Sequence, residues 1–122
     1  MSERPQVLLV AVGGYGNIYL KEMTEHDVGA DIAGICEVMP DIEEKFPVIR
    51  EKGIPVYHTL DAFYQEHKAD LAIIASPIQF HTEMSLTCLK NGSNVLCEKP
   101  LCLHEEEAER MAEAAAEAGK FL

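Results

Sequence analysis

The sequence predicts an α/β domain with a doubly wound, mainly parallel sheet. Three observations carry that expectation: short runs that are apolar throughout, amphipathic stretches between them, and a glycine-rich turn joining the first run to the first amphipathic stretch. Strands apolar on both faces belong to a parallel sheet covered by helices on either side. Right-handed crossovers then leave a doubly wound order as the simplest topology. The 122 residues amount to one domain, and no repeat, low-complexity tract or linker divides residues 1–122.

The elements follow in order. Val7–Val12 reads as a first buried strand, and Asn17–Glu25 as a helix entered through the glycine turn. Ile32–Glu37 is the second strand, followed by a helix within Asp41–Lys52 whose extent Pro47 limits. Gly53–Tyr57 is a short third strand, and Thr59 can cap a brief helix through "LDAFYQEH". Leu71–Ala75 is the fourth strand, ending at Ser76-Pro77; His81–Lys90 is helical, with Gly92 where a left-handed cap is wanted. Asn94–Glu98 is the fifth strand. His104–Ala118 is a helix with Glu105, Glu106 and Glu107 at its positive end and Gly119 closing it. Lys120-Phe121-Leu122 reads as the start of a further strand.

Composition removes several function classes. Ten Lys plus Arg against twenty-one Asp plus Glu give a net charge of -11, and that field repels nucleic acid and anionic membrane surfaces. A small phosphate ligand is still admissible, because local backbone N–H groups hold it. The four cysteines (Cys36, Cys88, Cys97, Cys102) form no CxxC pair and no zinc spacing, so no metal site is expected and a reduced cytoplasmic setting fits. "MSERPQ" leads into nothing resembling a signal peptide, and no apolar stretch nears the roughly 20 residues of a membrane span.

The chemistry-bearing stretches lie at the expected carboxyl ends of the strands. "VLLVAVGGYGNIYL" is a dinucleotide-type G-x-G-x-x-G turn with Ala11 in place of the first glycine. Tyr15 and Gly16 should open the helix and aim free N–H groups at a pyrophosphate. Gly13 gives closest approach to the phosphates, and Gly16 close packing of helix on strand. The methyl of Ala11 is tolerable if its φ is negative. Glu37, twenty-four residues after Gly13, can take both hydroxyls of an adenosine ribose and would repel a 2′-phosphate, favouring NAD over NADP. The same turn without a ligand, and the same carboxylate merely solvated, are the bland alternatives. In "ASPIQFH", Ser76-Pro77 breaks the fourth strand at the sheet edge and His81 stands near a helix start, where a surface or capping role is the commoner one. In "CEKPL", Glu98 and Lys99 should point to opposite faces if strand geometry persists, so one of them meets the cleft. A Lys there could hydrogen-bond a substrate hydroxyl or take part in acid/base work.

"AVGGYG", a strand-end Glu, "SPIQFH" and "EKP", in this order and spacing, resemble the N-terminal half of the glucose–fructose oxidoreductase, inositol dehydrogenase and rhizopine-catabolism family (Gfo/Idh/MocA). The resemblance covers essentially the whole chain. It implies a Rossmann NAD(P)-binding domain, followed in the family by a larger α/β domain that this chain lacks. It implies further that Ala11, Gly13, Gly14, Tyr15, Gly16, Asn17 and Ile18 form the cofactor turn and that Glu37 meets the ribose. Ser76, Pro77 and His81, with Glu98, Lys99 and Pro100, would then lie at the nicotinamide end, with Lys99 catalytic. The expected reaction is hydride transfer between NAD (NADP less so) and a secondary alcohol of a sugar, cyclitol or other polyol. Oligomer contacts would come through the second domain. A stand-alone nucleotide-sensing module and an S-adenosylmethionine-dependent methyltransferase are the competing readings; the unfinished final strand argues against the first, and "EKP" against the second.

Overall fold

A computed structural model describes residues 4–122, and its centre is a five-stranded parallel sheet in the order β3-β2-β1-β4-β5. The strands are β1 (Gln6–Val10), β2 (Asp31–Cys36), β3 (Val56–Tyr57), β4 (Leu71–Ile74) and β5 (Asn94–Cys97). Helices α1 (Asn17–Glu25), α2 (Ile42–Lys45) and α3 (Val48–Glu51) alternate with them, as do α4 (Leu60–Glu66), α5 (His81–Lys90) and α6 (Glu105–Ala118). The chain order reverses direction between β1 and β4, which places the crevice of the fold at the carboxyl ends of those two strands.

Alternation along β1 divides the core in two. Leu8 and Val10 face a layer that includes Leu60 and Phe63 of α4, Cys88 and Leu89 of α5, and Ala115 of α6. Val7 and Leu9 face the opposite layer, with Leu20 of α1, Ile42 of α2 and Ile49 of α3. Helices on both faces of a parallel sheet are the doubly wound architecture expected from the apolar runs. The coverage is uneven at β5, where Val95 is buried but Leu96, on the other face, is 45% exposed.

Local chemistry adjusts the predicted boundaries. The expected helix within Asp41–Lys52 is two short ones, because Pro47 forces Phe46 out of helical geometry (φ −128°, ψ 83°). The third strand keeps only Val56–Tyr57, paired to Ile35 and Cys36. Thr59 caps α4 as expected, its hydroxyl accepting from the Ala62 N–H at 3.1 Å. In α6 the Glu107 carboxylate turns back to accept from the N–H groups of His104 (3.0 Å) and Leu103 (3.1 Å). The last residues begin to pair with the sheet edge: Phe121 donates its N–H to Asn94 Oδ1, and its carbonyl accepts from Val95 at 2.9 Å.

Two core thiols give the fold an alkaline limit. Burial pushes Cys36 up to about 12 and Cys88 up to about 11. The folded chain therefore keeps protons that the unfolded chain releases near pH 8.5, so this contribution is intact below that pH and declines as pH rises toward 11–12. Burial also raises Tyr19 and Tyr64, with the same sign. Denaturant midpoints measured at pH 8, 10 and 11 should fall steadily; a flat profile would mean the thiols are accessible in the folded chain.

Candidate functional site at the carboxyl edge of the sheet

The glycine turn leaves β1 through a hydrogen bond from the Ala11 N–H to the Cys36 carbonyl (2.8 Å). Ala11 itself has φ +72°. This corrects the expectation of a negative φ: an L-residue is held in the left-handed region, at a strain of about 1–2 kcal/mol. Gly16 explains why the turn has no freedom to relax. A Cβ there would lie 1.9 Å from the Ala11 carbonyl oxygen and 3.1 Å from the Ala75 Cβ. Gly13 is less constrained, since its Cβ would meet the movable Met39 sulfur at 2.6 Å. Helix α1 begins at Asn17, not at Tyr15, with Gly16 as its cap residue. Among the described residues, the N–H groups of Gly14, Tyr15 and Gly16 have no protein acceptor. Space beside Gly14 is open, with nothing within 4 Å of a Cβ built on it. Three unpaired N–H groups at the start of a nine-residue helix form a cradle that could hold a pyrophosphate. Asn17 turns its amide to the Gly14 carbonyl at 3.4 Å, and Ile18 is 45% exposed on the outer side.

Glu37 is drawn into this turn. Only 6% exposed, it accepts through Oε1 from the N–H groups of Val12 (2.8 Å) and Gly13 (3.0 Å), and through Oε2 from Met39 (3.2 Å). A carboxylate has about four acceptor positions. Three are used by the protein, so Oε2 has room for one further donor. Glu37 also borders an apolar cleft of about 470 Å³ with Ala11, Val38, His58, Ser76 and Pro77. Sequence reasoning missed His58, whose Nδ1 lies 2.8 Å from the Glu37 carbonyl. It also missed Val38 and Phe80, 75% and 48% exposed, as lining side chains of this cleft. Their signal was position alone: His58 and Val38 follow the ends of β3 and β2 within two residues, and Phe80 ends the single helical turn after Ser76-Pro77.

A second cleft, about 290 Å³, shares Ser76 with the first and is lined by Tyr15, Ala75, His81, Glu98, Lys99 and Pro100. Strand β5 stops at Cys97; the Glu98 N–H still donates to the Ile74 carbonyl of β4 (2.9 Å), and beyond it the chain leaves the pleat. Both border the same cleft, which corrects the prediction of opposite faces. The Glu98 carboxylate accepts a hydrogen bond from the Tyr19 hydroxyl on α1. Burial, reinforced by that carboxylate, pushes Tyr19 up to about 12. Tyr19 was another missed residue, an aromatic with a polar tip one turn into the helix that the glycine turn opens. None of the ion pairs among the described residues uses Lys99, which is exposed and follows directly on this anchored Glu. The Lys99-Pro100 peptide is cis. His81 is not a surface residue: it is 1% exposed, with Nε2 2.7 Å from the Ser76 carbonyl and Nδ1 3.0 Å from that of Pro100. The glycine turn, Glu37, Ser76-Pro77 and Glu98-Lys99-Pro100 thus converge on one edge of the sheet.

The sequence model described as "Oxidoreductase family, NAD-binding Rossmann fold" (GFO_IDH_MocA) matches residues 6–122. The chain belongs to the Gfo/Idh/MocA family. Its match is to the family's NAD-binding domain, in agreement with the unpaired N–H cradle. An inositol 2-dehydrogenase of Rubrobacter xylanophilus is 31% identical over 99% of this chain and 34% of its own length. The crystal structure of GenD2 from gentamicin A biosynthesis, in complex with NAD, superimposes with a TM-score of 0.85 at 28% identity, over 98% of this chain and 34% of that one. The WlbA dehydrogenase of Bordetella pertussis, in complex with NADH and UDP-GlcNAcA, shares the fold at a TM-score of 0.86 and 22% identity, over 98% of this chain and 37% of that one. This Gfo/Idh/MocA chain therefore spans about a third of the length of the relatives it matches. No helix among the described residues is long and apolar enough to cross a membrane.

Proposed function

We propose that this chain is the cofactor-holding portion of an NAD-dependent oxidoreductase acting on a secondary alcohol of a sugar, cyclitol or related polyol. One observation carries the reading: an ion-pair-free Lys99 borders the cleft that begins beside the unpaired N–H groups of the glycine turn. Gly14, Tyr15 and Gly16 would hold the pyrophosphate through those N–H groups, and the apolar cleft beside Glu37 would take the adenosine. Its lining contains Glu37 and Asp61 but no Lys or Arg, an environment that favours a ribose hydroxyl over a 2′-phosphate and so NAD over NADP. The nicotinamide supplies or accepts the hydride. Lys99 would hydrogen-bond the substrate oxygen and bias its proton, while Glu98, tethered by Tyr19, fixes where Lys99 sits.

A relative named for inositol, and a structure of the same fold solved with UDP-GlcNAcA, support the polyol class. A second domain in the complete protein would supply the remaining substrate contacts, the group that moves the hydroxyl proton, and the oligomer interface. The four free cysteines support a reducing, cytoplasmic setting. The test is turnover. This chain alone, given NAD and a panel of inositols and hexoses, should form no NADH, and substrate-dependent NADH formation by it would refute the division of labour. In the complete protein, Lys99→Ala should lower kcat by roughly 10²-fold or more while leaving NADH affinity within about threefold. Equal losses in both would make Lys99 a cofactor ligand instead.

A further inference from the structure

We propose that His81 is a two-donor clamp, an imidazolium whose ring joins the exit of β4 to the Glu98-Lys99-Pro100 turn and thereby positions Lys99. Both of its ring nitrogens face only acceptors. Nε2 lies 2.7 Å from the Ser76 carbonyl oxygen, while Nδ1 lies 3.0 Å from that of Pro100 and 3.2 Å from that of Leu101. A carbonyl cannot donate, and the ring is 1% exposed, so water cannot supply the missing proton. A neutral imidazole has a single N–H. In either tautomer one nitrogen would press its lone pair against a carbonyl oxygen inside the protein, leaving a buried acceptor unpaired. Only the doubly protonated ring satisfies all three carbonyls.

The charged groups around the ring do not all agree with this. His81 is the first residue of α5, where the helix dipole disfavours a cation, and Lys99 borders the same cleft with a like charge. Glu98 lies in that cleft with the opposite charge, and Tyr15 is the other titratable side chain lining it. On α5 itself Glu83 is turned to Arg110 of α6 and is exposed. Three carbonyl acceptors in direct hydrogen-bonding contact, with the Glu98 carboxylate in the same cleft, are the interactions that oppose this field and the cost of burying the charge. The consequence is positional. The chain on either side of Ser76 and the turn carrying Lys99 are held at one spacing by a single rigid ring, across the cleft assigned to the nicotinamide.

That last step rests on the cofactor reading, whereas the protonation of the ring does not. Nitrogen-15 NMR of the histidine rings of this chain at pH 7 reads the clamp directly. The His81 ring should show a proton on both nitrogens, and a single protonated nitrogen would overturn the proposal. The positioning role is read from His81→Gln, which can reach only one of the two loops. The Lys99 amide and side-chain resonances should move, and the shifts that NADH induces should be lost at Tyr15 and Lys99 but kept at His58, with NADH affinity within about threefold of the parent. Unchanged Lys99 resonances would overturn the positioning role. Should His81→Gln fail to fold, His81→Asn gives the same readout, and the wild-type ring spectrum still decides the clamp. A doubly protonated ring in a wild-type chain that binds no NADH would support the clamp and refute the cofactor reading instead.

Discussion

Gly16→Ala should abolish NADH binding and destabilise the chain by about 3 kcal/mol, at the upper end of overpacking costs. The added methyl would sit 1.9 Å from the Ala11 carbonyl oxygen, which is backbone and has no rotamer to escape into. Ala11 is already held at φ +72°, so the carbonyl cannot move away without unwinding the turn. Ala11→Gly should act in the opposite sense. It removes left-handed strain of about 1–2 kcal/mol and returns part of that as unfolded-state freedom, for a net gain of about 1 kcal/mol. Urea unfolding of the two variants beside the parent checks both signs. If Gly16→Ala unfolds with the parent, the turn does not have the geometry described above.

Glu37→Ala is the second large effect, and it separates two roles of one carboxylate. The truncation leaves the N–H groups of Val12, Gly13 and Met39 without their acceptor. Val12 is fully buried, so its donor has no access to water. Losing charge-assisted bonds to buried donors costs on the order of 3 kcal/mol. Glu37→Gln keeps an oxygen for Val12 and Gly13 but turns its amide nitrogen toward the Met39 donor, so its loss should be about half as large. The prediction is thus a graded loss of stability, parent above Gln above Ala, read from thermal or urea unfolding. A carboxylate that serves only the ribose would leave all three equally stable without cofactor.

How much of this was legible beforehand depended on whether the signal was local. The doubly wound sheet was readable because each strand run is apolar on both faces, and Thr59, Gly92 and Gly119 punctuate the helices at their ends. The short pieces were not. Pro47 warned that a helix was limited, but its division at Phe46 depends on how Ile42 and Ile49 each reach the core. The cofactor turn was readable from spacing, yet the sign of φ at Ala11 was not, because it is set by the carbonyl packing over Gly16. Strand alternation misassigned Glu98 and Lys99, since nothing in "CEKPL" says that the strand ends at Cys97. The longest-range links were invisible in the sequence: Tyr19 to Glu98, His81 to Pro100, and Glu37 to Val12 and Gly13 join positions that only the sheet order brings together.

The central claim is that the unpaired N–H groups of Gly14, Tyr15 and Gly16, with the cleft beside Glu37, form an NAD site in this chain. The chain contains no tryptophan, so nicotinamide fluorescence can be followed without interference. Titrating the chain into NADH and, separately, NADPH is the direct measurement. Saturable NADH binding, with NADPH weaker by about tenfold or more, equivalent to about 1.4 kcal/mol, is the predicted result. Binding of neither cofactor, or of NADPH as tightly as NADH, would contradict it.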